Sequence, residues 1–414
     1  MDRTPFLVVL SALALPILAS ACGDSTGPSE IPEPTPFTLA VGGHHACRLL
    51  DDGGIRCWGR ADAGQLGIDS TPFSGTASPI AVHGVTFTSV AAGGLHTCAL
   101  ADDGVPWCWG QNGSGQAGIL ISENQDCGEA VHGWRCVPGP RPVETNQRFT
   151  ALVAGAGNTC GFSAEGQIYC WGTNGSGQLG ANATDDCNGT PCSWTPVALG
   201  GPDFRVLALG ASAHLCGLTA DGTAYCWGSN DAGELGLGMA GEAQSQPAPV
   251  TGDHRFRAIA VGGEHTCALD TQGRPWCWGR DILPPGEGGV SQSTIPVAID
   301  GGPAFTELMT GTWAACGRTS AGAVWCWGIN AYGEMGITPA GLNVRYDTPR
   351  EMAGHPMWAF LGGQGATFCG LDRDAATWCW GFGVFGELGP VHESSSEPVR
   401  VGMGEMGEMG KMGG

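Results

Sequence analysis

Phe204-Arg-Val-Leu-Ala-Leu-Gly210, His214-Leu-Cys-Gly-Leu218, Asp221-Gly222 and Ala224-Tyr-Cys-Trp-Gly228 are consecutive pieces of one short stretch. Two apolar runs flank an Asp-Gly pair, the composition of a β-hairpin. Residues ten apart face each other when the turn is centred midway, here at Asp221, so Cys216 and Cys226 meet on neighbouring strands. Opposed residues of an antiparallel pair lie close enough for a disulfide. The same spacing recurs in Cys47 with Cys57, Cys98 with Cys108, Cys160 with Cys170, Cys267 with Cys277, Cys316 with Cys326 and Cys369 with Cys379. Trp-Gly follows every second cysteine, and first cysteines are 49 to 62 residues apart. A period near fifty marks a propeller, solenoid or array. A leading strand (Phe204–Gly210) and a trailing Pro-x-x-Val segment complete four strands per unit. The latter recurs as Pro79–Val82, Pro296–Ile299 and Pro398–Val401. Seven such units predict an all-β, seven-bladed β-propeller with one disulfide per blade.

The block Gly-Gly-x-His-Thr-Cys-Ala-Leu, Asp-Gly, Cys-Trp-Gly-x-Asn-x-x-Gly-Gln-Leu-Gly resembles the regulator of chromosome condensation repeat family, whose members form seven-bladed propellers. The likeness is closest at Gly93–Gly118 and Ala154–Gly180, good at Gly262–Gly279 and Leu209–Gly236, and spans about residues 37–401. Unit five departs from it: Trp278-Gly-Arg-Asp-Ile-Leu-Pro-Pro-Gly-Glu-Gly-Gly lacks the Asn and the Gln-Leu, so its outer turn is expected to differ. The first unit has no Pro-x-x-Val before it and the last has one after it, which leaves open the blade that owns the closing strand. The best-known member of the family is a nuclear exchange factor for the Ran GTPase that also sits on chromatin. That role is not expected here, because the leader and the charge both contradict it.

Of 19 cysteines, 14 lie in the hairpins, Cys127 with Cys136 and Cys187 with Cys192 lie in long loops, and Cys22 remains. Paired cysteines at this density belong to an oxidising compartment. Zinc sites want clustered pairs, not isolated ones, and no metal or cofactor is expected. Cys22 follows an apolar stretch, Phe6–Ser20, preceded by Arg3 and ending in small residues. This is the layout of a signal peptide, too short to span a membrane. Leu18-Ala-Ser-Ala-Cys22 resembles a bacterial lipobox, although Ala19 stands where Leu is preferred. The expected organisation is a signal peptide over 1–21, a lipid-anchored Pro/Ser-rich tether over 22–36, the propeller over 37–401 and a disordered Gly/Met tail over 402–414. Gly23 after the cysteine does not argue for inner-membrane retention, so outer-membrane attachment in the bacterial envelope is expected.

Net charge is −21, and Lys411 is the sole lysine. With no basic cluster, nucleic acid is excluded as a partner. Catalytic signatures are equally lacking: there is no Gly-x-Ser-x-Gly elbow, no His-Glu-x-x-His and no phosphate loop. His45, His96, His214 and His265 occupy one repeat position, held by Asn158, Ala314 and Thr367 in other units, and read as packing elements.

What interrupts the repeat carries the functional expectation. Two adjacent units hold disulfide-bearing insertions, Ile119–Pro140 with His132 and Trp134, and Ala181–Pro196 with Asp185, Asp186 and Trp194. Plainer loops occur at Leu237–Gln246 and Ile337–Asp347. All lie between the third and fourth strands, so they share a face with the Gly-Gly-x-His turns and oppose the Asp-Gly turns. Insertions of repeat proteins map to one face, often the binding face. Trp134 and Trp194 are therefore candidate contacts, together with His132, Asp185 and Asp186, set against the plainer reading that each Trp steadies its own loop. The expected function is a non-enzymatic, monomeric protein–protein interaction scaffold. Carbohydrate binding or enzyme inhibition is the alternative, since a secreted bacterial propeller of the resembled family caps β-lactamases. The partner, protein or glycan, is not named by the residues.

Overall fold

The computed structural model describes residues 38–402 apart from 68–73, 77–79, 81, 121–126, 128–134, 182, 184, 285–290, 338–343, 353–356 and 390–392. The expected leader, the tether with Cys22, residues 403–414 of the tail, His132 and Trp134 all lie outside the described residues.

In the fourth unit, strands Phe204–Leu209, His214–Thr219, Ala224–Gly228 and Gln244–Pro249 pair antiparallel in chain order. Cys216 stands opposite Cys226, as the ten-residue spacing requires. The turn between them is a three-residue loop: Gly222 N–H donates to Thr219 O at 2.9 Å, and Gly222 takes φ +82°. That is a type I turn followed by a left-handed residue, where glycine carries no Cβ penalty.

Every hairpin carries the bridge that the spacing calls for. Cys47 is bonded to Cys57, Cys98 to Cys108, Cys160 to Cys170 and Cys216 to Cys226. Cys267 is bonded to Cys277, Cys316 to Cys326 and Cys369 to Cys379. The Cα–Cα distances of the seven are 4.0 to 4.1 Å, because each pair is directly opposed across its two strands. In the chain-entropy model each such short loop contributes about 3 kcal/mol.

The Trp-Gly that follows each bridge has its own cause. Pairing with the fourth strand skips a residue between Cys226 and Gly228. This bulge sends the fully buried Trp227 toward the preceding blade, where its indole N–H donates to Gln178 O at 3.0 Å. Gly228 has φ +100°, and a Cβ there would collide with Ala213 O. Only glycine fits.

Seven sheets of this kind follow one another, spanning 39–76, 87–142, 149–198, 204–249, 256–298, 307–351 and 358–400 (blades 1 to 7). Each blade's first strand touches the first strands of its neighbours, including blade 7 against blade 1, so these strands line the axis and the ring is closed. The fourth strands form the rim. Among the described residues there is no helix. The seven repeat tryptophans are fully buried.

Ring closure uses no exchanged strand. Ser395–Arg400 pairs with Thr377–Gly381, so blade 7 owns the last strand and every blade is contiguous in sequence. The seam is held by packing of Leu39, Val41 and Trp58 against Leu371, Leu388 and Val401. Trp58 Nε1 donates to Glu387 O at 2.9 Å and Arg48 to Thr377 Oγ1 at 2.9 Å.

Two expectations need amendment. Pro-x-x-Val marks the end of the fourth strand, not its whole extent: Gln292–Ala298 and Ser395–Arg400 begin upstream, and Ile299 and Val401 just beyond them are buried. Blade 3 also has a fifth strand. Asp185–Cys187 pairs with Thr190–Ala198 around Asn188-Gly189, both with positive φ, so the expected loop is a hairpin that extends the blade. The outer turn of blade 5 differs as expected, with Asp281 at φ 65° and Ile282 and Leu283 buried.

Candidate functional site

On the face of the Gly-Gly-x-His turns the backbone stitches blade to blade. Gly43 N donates to Gly93 O at 3.0 Å, Gly94 N to Gly155 O at 3.0 Å and Ala156 N to Gly210 O at 2.9 Å. A Cβ on Gly93 would lie 2.6 Å from Gly155 O, which is why glycine occupies that turn. These turns surround an axial recess of about 450 Å³.

One wall of the recess is aromatic. Trp313 lies 6.1 Å from Tyr332, Tyr332 lies 5.1 Å from Phe382, and Phe382 lies 6.2 Å from His44 (centroid distances). Phe385 continues the row at 5.8 Å from Phe382, with the Arg60 guanidinium 5.1 Å over its ring. Arg60 is itself held by Asp62 through two hydrogen bonds of 2.8 and 2.7 Å. Tyr332 is 39% exposed and Val384, next to Phe385, is 51% exposed. The lining contributed by blades 2, 3 and 4 is small and polar, with Gln111, Ala156 and Ala211, and Gln364 of blade 7 adds a further amide. Among the described residues no Lys, Arg, Asp or Glu lines the recess.

The repeat histidines lie deeper and join blades. His45 Nε2 is 2.7 Å from Thr97 Oγ1, His96 Nε2 2.9 Å from Thr159 Oγ1, and His214 Nε2 3.0 Å from Thr266 Oγ1. Each threonine donates on to a backbone oxygen, of Gln65, Gln116 and Glu234 respectively. Burial holds the imidazoles neutral, lowering His45, His214 and His265 to about 3 and His96 to about 4. His45, His96 and His214 cement the ring, and none of the four lines the recess.

The repeat Gln/Glu of the outer turns is likewise structural. Glu234 Oε2 accepts from Ala232 N at 2.7 Å, Glu334 Oε2 from Tyr332 N at 2.6 Å and Glu387 Oε2 from Phe385 N at 2.8 Å. Burial raises the Glu334 carboxyl above its usual range. These carboxylates fasten turns.

Of the residues expected at the site, Trp194 is half-buried, with the Arg135 guanidinium 5.9 Å over its ring. Asp185 Oδ2 accepts from Trp194 N at 3.1 Å, and Asp186 Oδ1 accepts from Gly189 N at 2.5 Å. Both carboxylates therefore brace the blade 3 hairpin. Among the described residues no set of three His, Cys, Asp or Glu is grouped to hold a metal. The loop cysteines are paired as expected, Cys127 with Cys136 and Cys187 with Cys192. Trp194 is placed on blade 3, whereas the aromatic wall belongs to blades 6, 7 and 1.

That wall was missed in the sequence, though a signal was there. Tyr332 and Phe385 share one repeat position, filled elsewhere by Ala63, Ser114, Ser176 and Ala232. Trp313 stands where Leu95, Gly157, Ala213, Glu264 and Ala366 stand. Comparing columns of the repeat, and not only its insertions, picks out these bulky substitutions.

Two models of the regulator of chromosome condensation (RCC1) repeat match the chain, one at residues 52–100, 165–216 and 221–269 and the other at 87–116, 149–178 and 207–234. The chain is 28% identical over 258 residues to the ultraviolet-B receptor UVR8 of Arabidopsis thaliana, covering 62% of this chain and 55% of the receptor. It is 28% identical over 226 residues to the probable E3 ubiquitin-protein ligase HERC3 of Homo sapiens, covering 54% of this chain and 20% of that protein. The chain thus spans about half, or less, of the length of these curated relatives. Among solved structures, human WBSCR16 superposes with a TM-score of 0.70 at 19% identity, over 81% of this chain and 86% of that one. Prp20p of Saccharomyces cerevisiae superposes with a TM-score of 0.69 at 19% identity, over 86% and 87%. These likenesses at low identity show the fold alone. The chain carries regulator of chromosome condensation repeats and folds as their seven-bladed propeller.

Proposed function

We propose that the protein is a non-enzymatic protein–protein interaction scaffold of the bacterial cell envelope, working through the propeller face that bears the Gly-Gly-x-His turns. The observation that carries this reading is the asymmetry of the two faces. One bears short repeat turns of the Asp-Gly type, while the other holds the recess and the exposed Tyr332 and Val384. Apolar surface left open on a rigid ring marks an interaction site. The structural report on yeast Prp20p concerns its binding to Gsp1p and histones, which gives protein capture on this fold a precedent. Neither of those partners is carried over. The leader-like residues 1–21 and the charge of −21 favour an envelope polypeptide instead.

In this reading Cys22 carries the lipid anchor. The test is affinity capture from envelope extract with the full chain, its disulfides formed, beside a Trp194→Ala/Tyr332→Ala/Val384→Ser variant. One polypeptide retained by the native ring, competed by excess free ring and lost from the variant supports the reading. Identical eluates from both sink it.

A further inference from the structure

The recess contains a polar group that the fold does not use. Gln364 ends the first strand of blade 7, is 5% exposed and lines the recess, yet its side-chain Oε1 has no hydrogen-bond partner among the described residues. A buried acceptor left unpaired costs stability that a donor from outside would restore. Among the other polar side chains at the wall, Gln111 Oε1 accepts from Gln116 Nε2 at 3.2 Å, while His44 Nδ1, 3.7 Å from Glu387 Oε1, also has no hydrogen-bond partner among the described residues but is paired in charge with that carboxylate when protonated. The rest of the wall is uncharged, and its bulk is aromatic.

These features define an occupant. It is neutral, it has an aromatic or apolar body, and it brings one donor. The rings of the wall are not coplanar: Trp313 and Tyr332 are inclined at 42°, Tyr332 and Phe382 at 78°, and Phe382 and His44 at 68°. A curved wall grips an inserted ring from several sides by edge and face contacts. It offers no flat platform for a pyranose, and one open acceptor does not satisfy the several hydroxyls a sugar brings. A volume of about 450 Å³ is at the small end of ligand sites, enough for one large side chain.

We propose that the recess is an anchor pocket for a single tyrosine or tryptophan side chain projecting from the polypeptide partner. Its ring packs on Trp313, Tyr332 and Phe382, and its O–H or N–H donates to Gln364 Oε1. Tyr and Trp dominate the central, desolvated contacts of protein interfaces, and the pocket lies on the ring axis. This inference rests on the interaction-scaffold reading and names the chemistry its partner presents.

The test titrates the full chain with N-acetyl-tyrosinamide, N-acetyl-tryptophanamide, N-acetyl-phenylalaninamide, cellobiose and chitobiose, read by saturation-transfer NMR. The two donor-bearing amides are expected to bind about fivefold more tightly than the phenylalanine amide, the worth of one neutral hydrogen bond. Gln364→Met should equalise the three amides without abolishing binding. Trp313→Ala should abolish it, and Tyr332→Ala at its exposed position serves where Trp313→Ala disturbs folding. Saccharide binding in place of the amides, or a donor preference that survives Gln364→Met, overturns the proposal. A captured polypeptide that Tyr332→Ala and Trp313→Ala fail to release refutes the pocket and leaves the scaffold standing. Amide binding without any captured polypeptide does the reverse.

Discussion

The joint between blades 4 and 5 and the joint between blades 5 and 6 solve one problem in different ways. At the first, His214 meets Thr266, Thr266 donates to Glu234 O, and Trp278 Nε1 donates to the same oxygen at 2.8 Å. At the second, Ala315 replaces the threonine and blade 5 has no Gln or Glu at the matching turn. Both nitrogens of His265 and Nε1 of Trp327 are then left without partners among the described residues. Ile282 and Leu283 fill the space against Ala315 and Trp327, and Arg345 reaches back from blade 6 to Leu283 O and Ser291 Oγ. The relay was removed only in part. Replacing every member of a polar set by apolar groups is close to neutral, whereas leaving some members behind is costly. The repeat motif is a set of linked hydrogen bonds, and a unit that loses one member exposes the others. An orphan indole alone does not mark a deviant joint, since Trp171 Nε1 also lacks a partner among the described residues.

Acid should reveal the largest effect. The buried histidines have native pKa values lowered to about 3 or 4 from 6.5. Above pH 6.5 neither state carries the extra protons. Below it the unfolded chain binds them and the native ring does not, so stability is complete above 6.5 and lost as pH falls. Each histidine contributes a slope of up to about 1.4 kcal/mol per pH unit. The raised Glu334 carboxyl acts in the opposite direction and offsets part of the loss. Melting temperature between about pH 7 and about pH 4.5 checks this; a flat profile contradicts the neutral buried imidazoles.

Next in size is the indole pair. Trp278→Phe loses a hydrogen bond as well as volume and should cost about 3 kcal/mol, whereas Trp327→Phe loses only volume and should cost about 1 to 2 kcal/mol. Equal shifts in denaturant midpoint for the two variants would remove the distinction between the joints. His214→Leu against His265→Leu sharpens it further. The first breaks a satisfied contact and should destabilise by about 1 to 2 kcal/mol, while the second removes an orphan and should be neutral or stabilising. His265→Leu should also flatten the acid profile by one histidine. The smallest expected effect concerns the blade 7 turn, where Ala375 has φ 58° at the position that glycine holds in the other six hairpins. Ala375→Gly should stabilise by up to about 1 kcal/mol, read as a rise in melting temperature.

The hairpin register was legible because it is local. Ten residues separate Cys57 from Cys47, and likewise Cys108, Cys170, Cys277, Cys326 and Cys379 from their partners, and the turn residues between them fix which atoms meet. The Asn188-Gly189 hairpin was equally local and went unread, because Cys187 and Cys192 drew it as a loop; Asn-Gly between extended segments was the available sign. The aromatic wall is a different case. Trp313, Tyr332, Phe382 and His44 belong to three blades, and His44 is 269 to 338 positions away from the others along the chain. Nothing in their local sequence states that they share a recess.

By itself, the sequence determined the number of blades, the register of each repeat hairpin and its disulfide, since all depend on contacts within about fifty residues of chain. Tertiary structure alone decided that blade 7 keeps its last strand, that the histidines are buried between blades, and that a recess lined by no Lys, Arg, Asp or Glu among the described residues opens at the axis beside the unpaired Gln364 Oε1. Those outcomes depend on how neighbouring blades close around a common axis, a condition imposed by packing the whole ring at once.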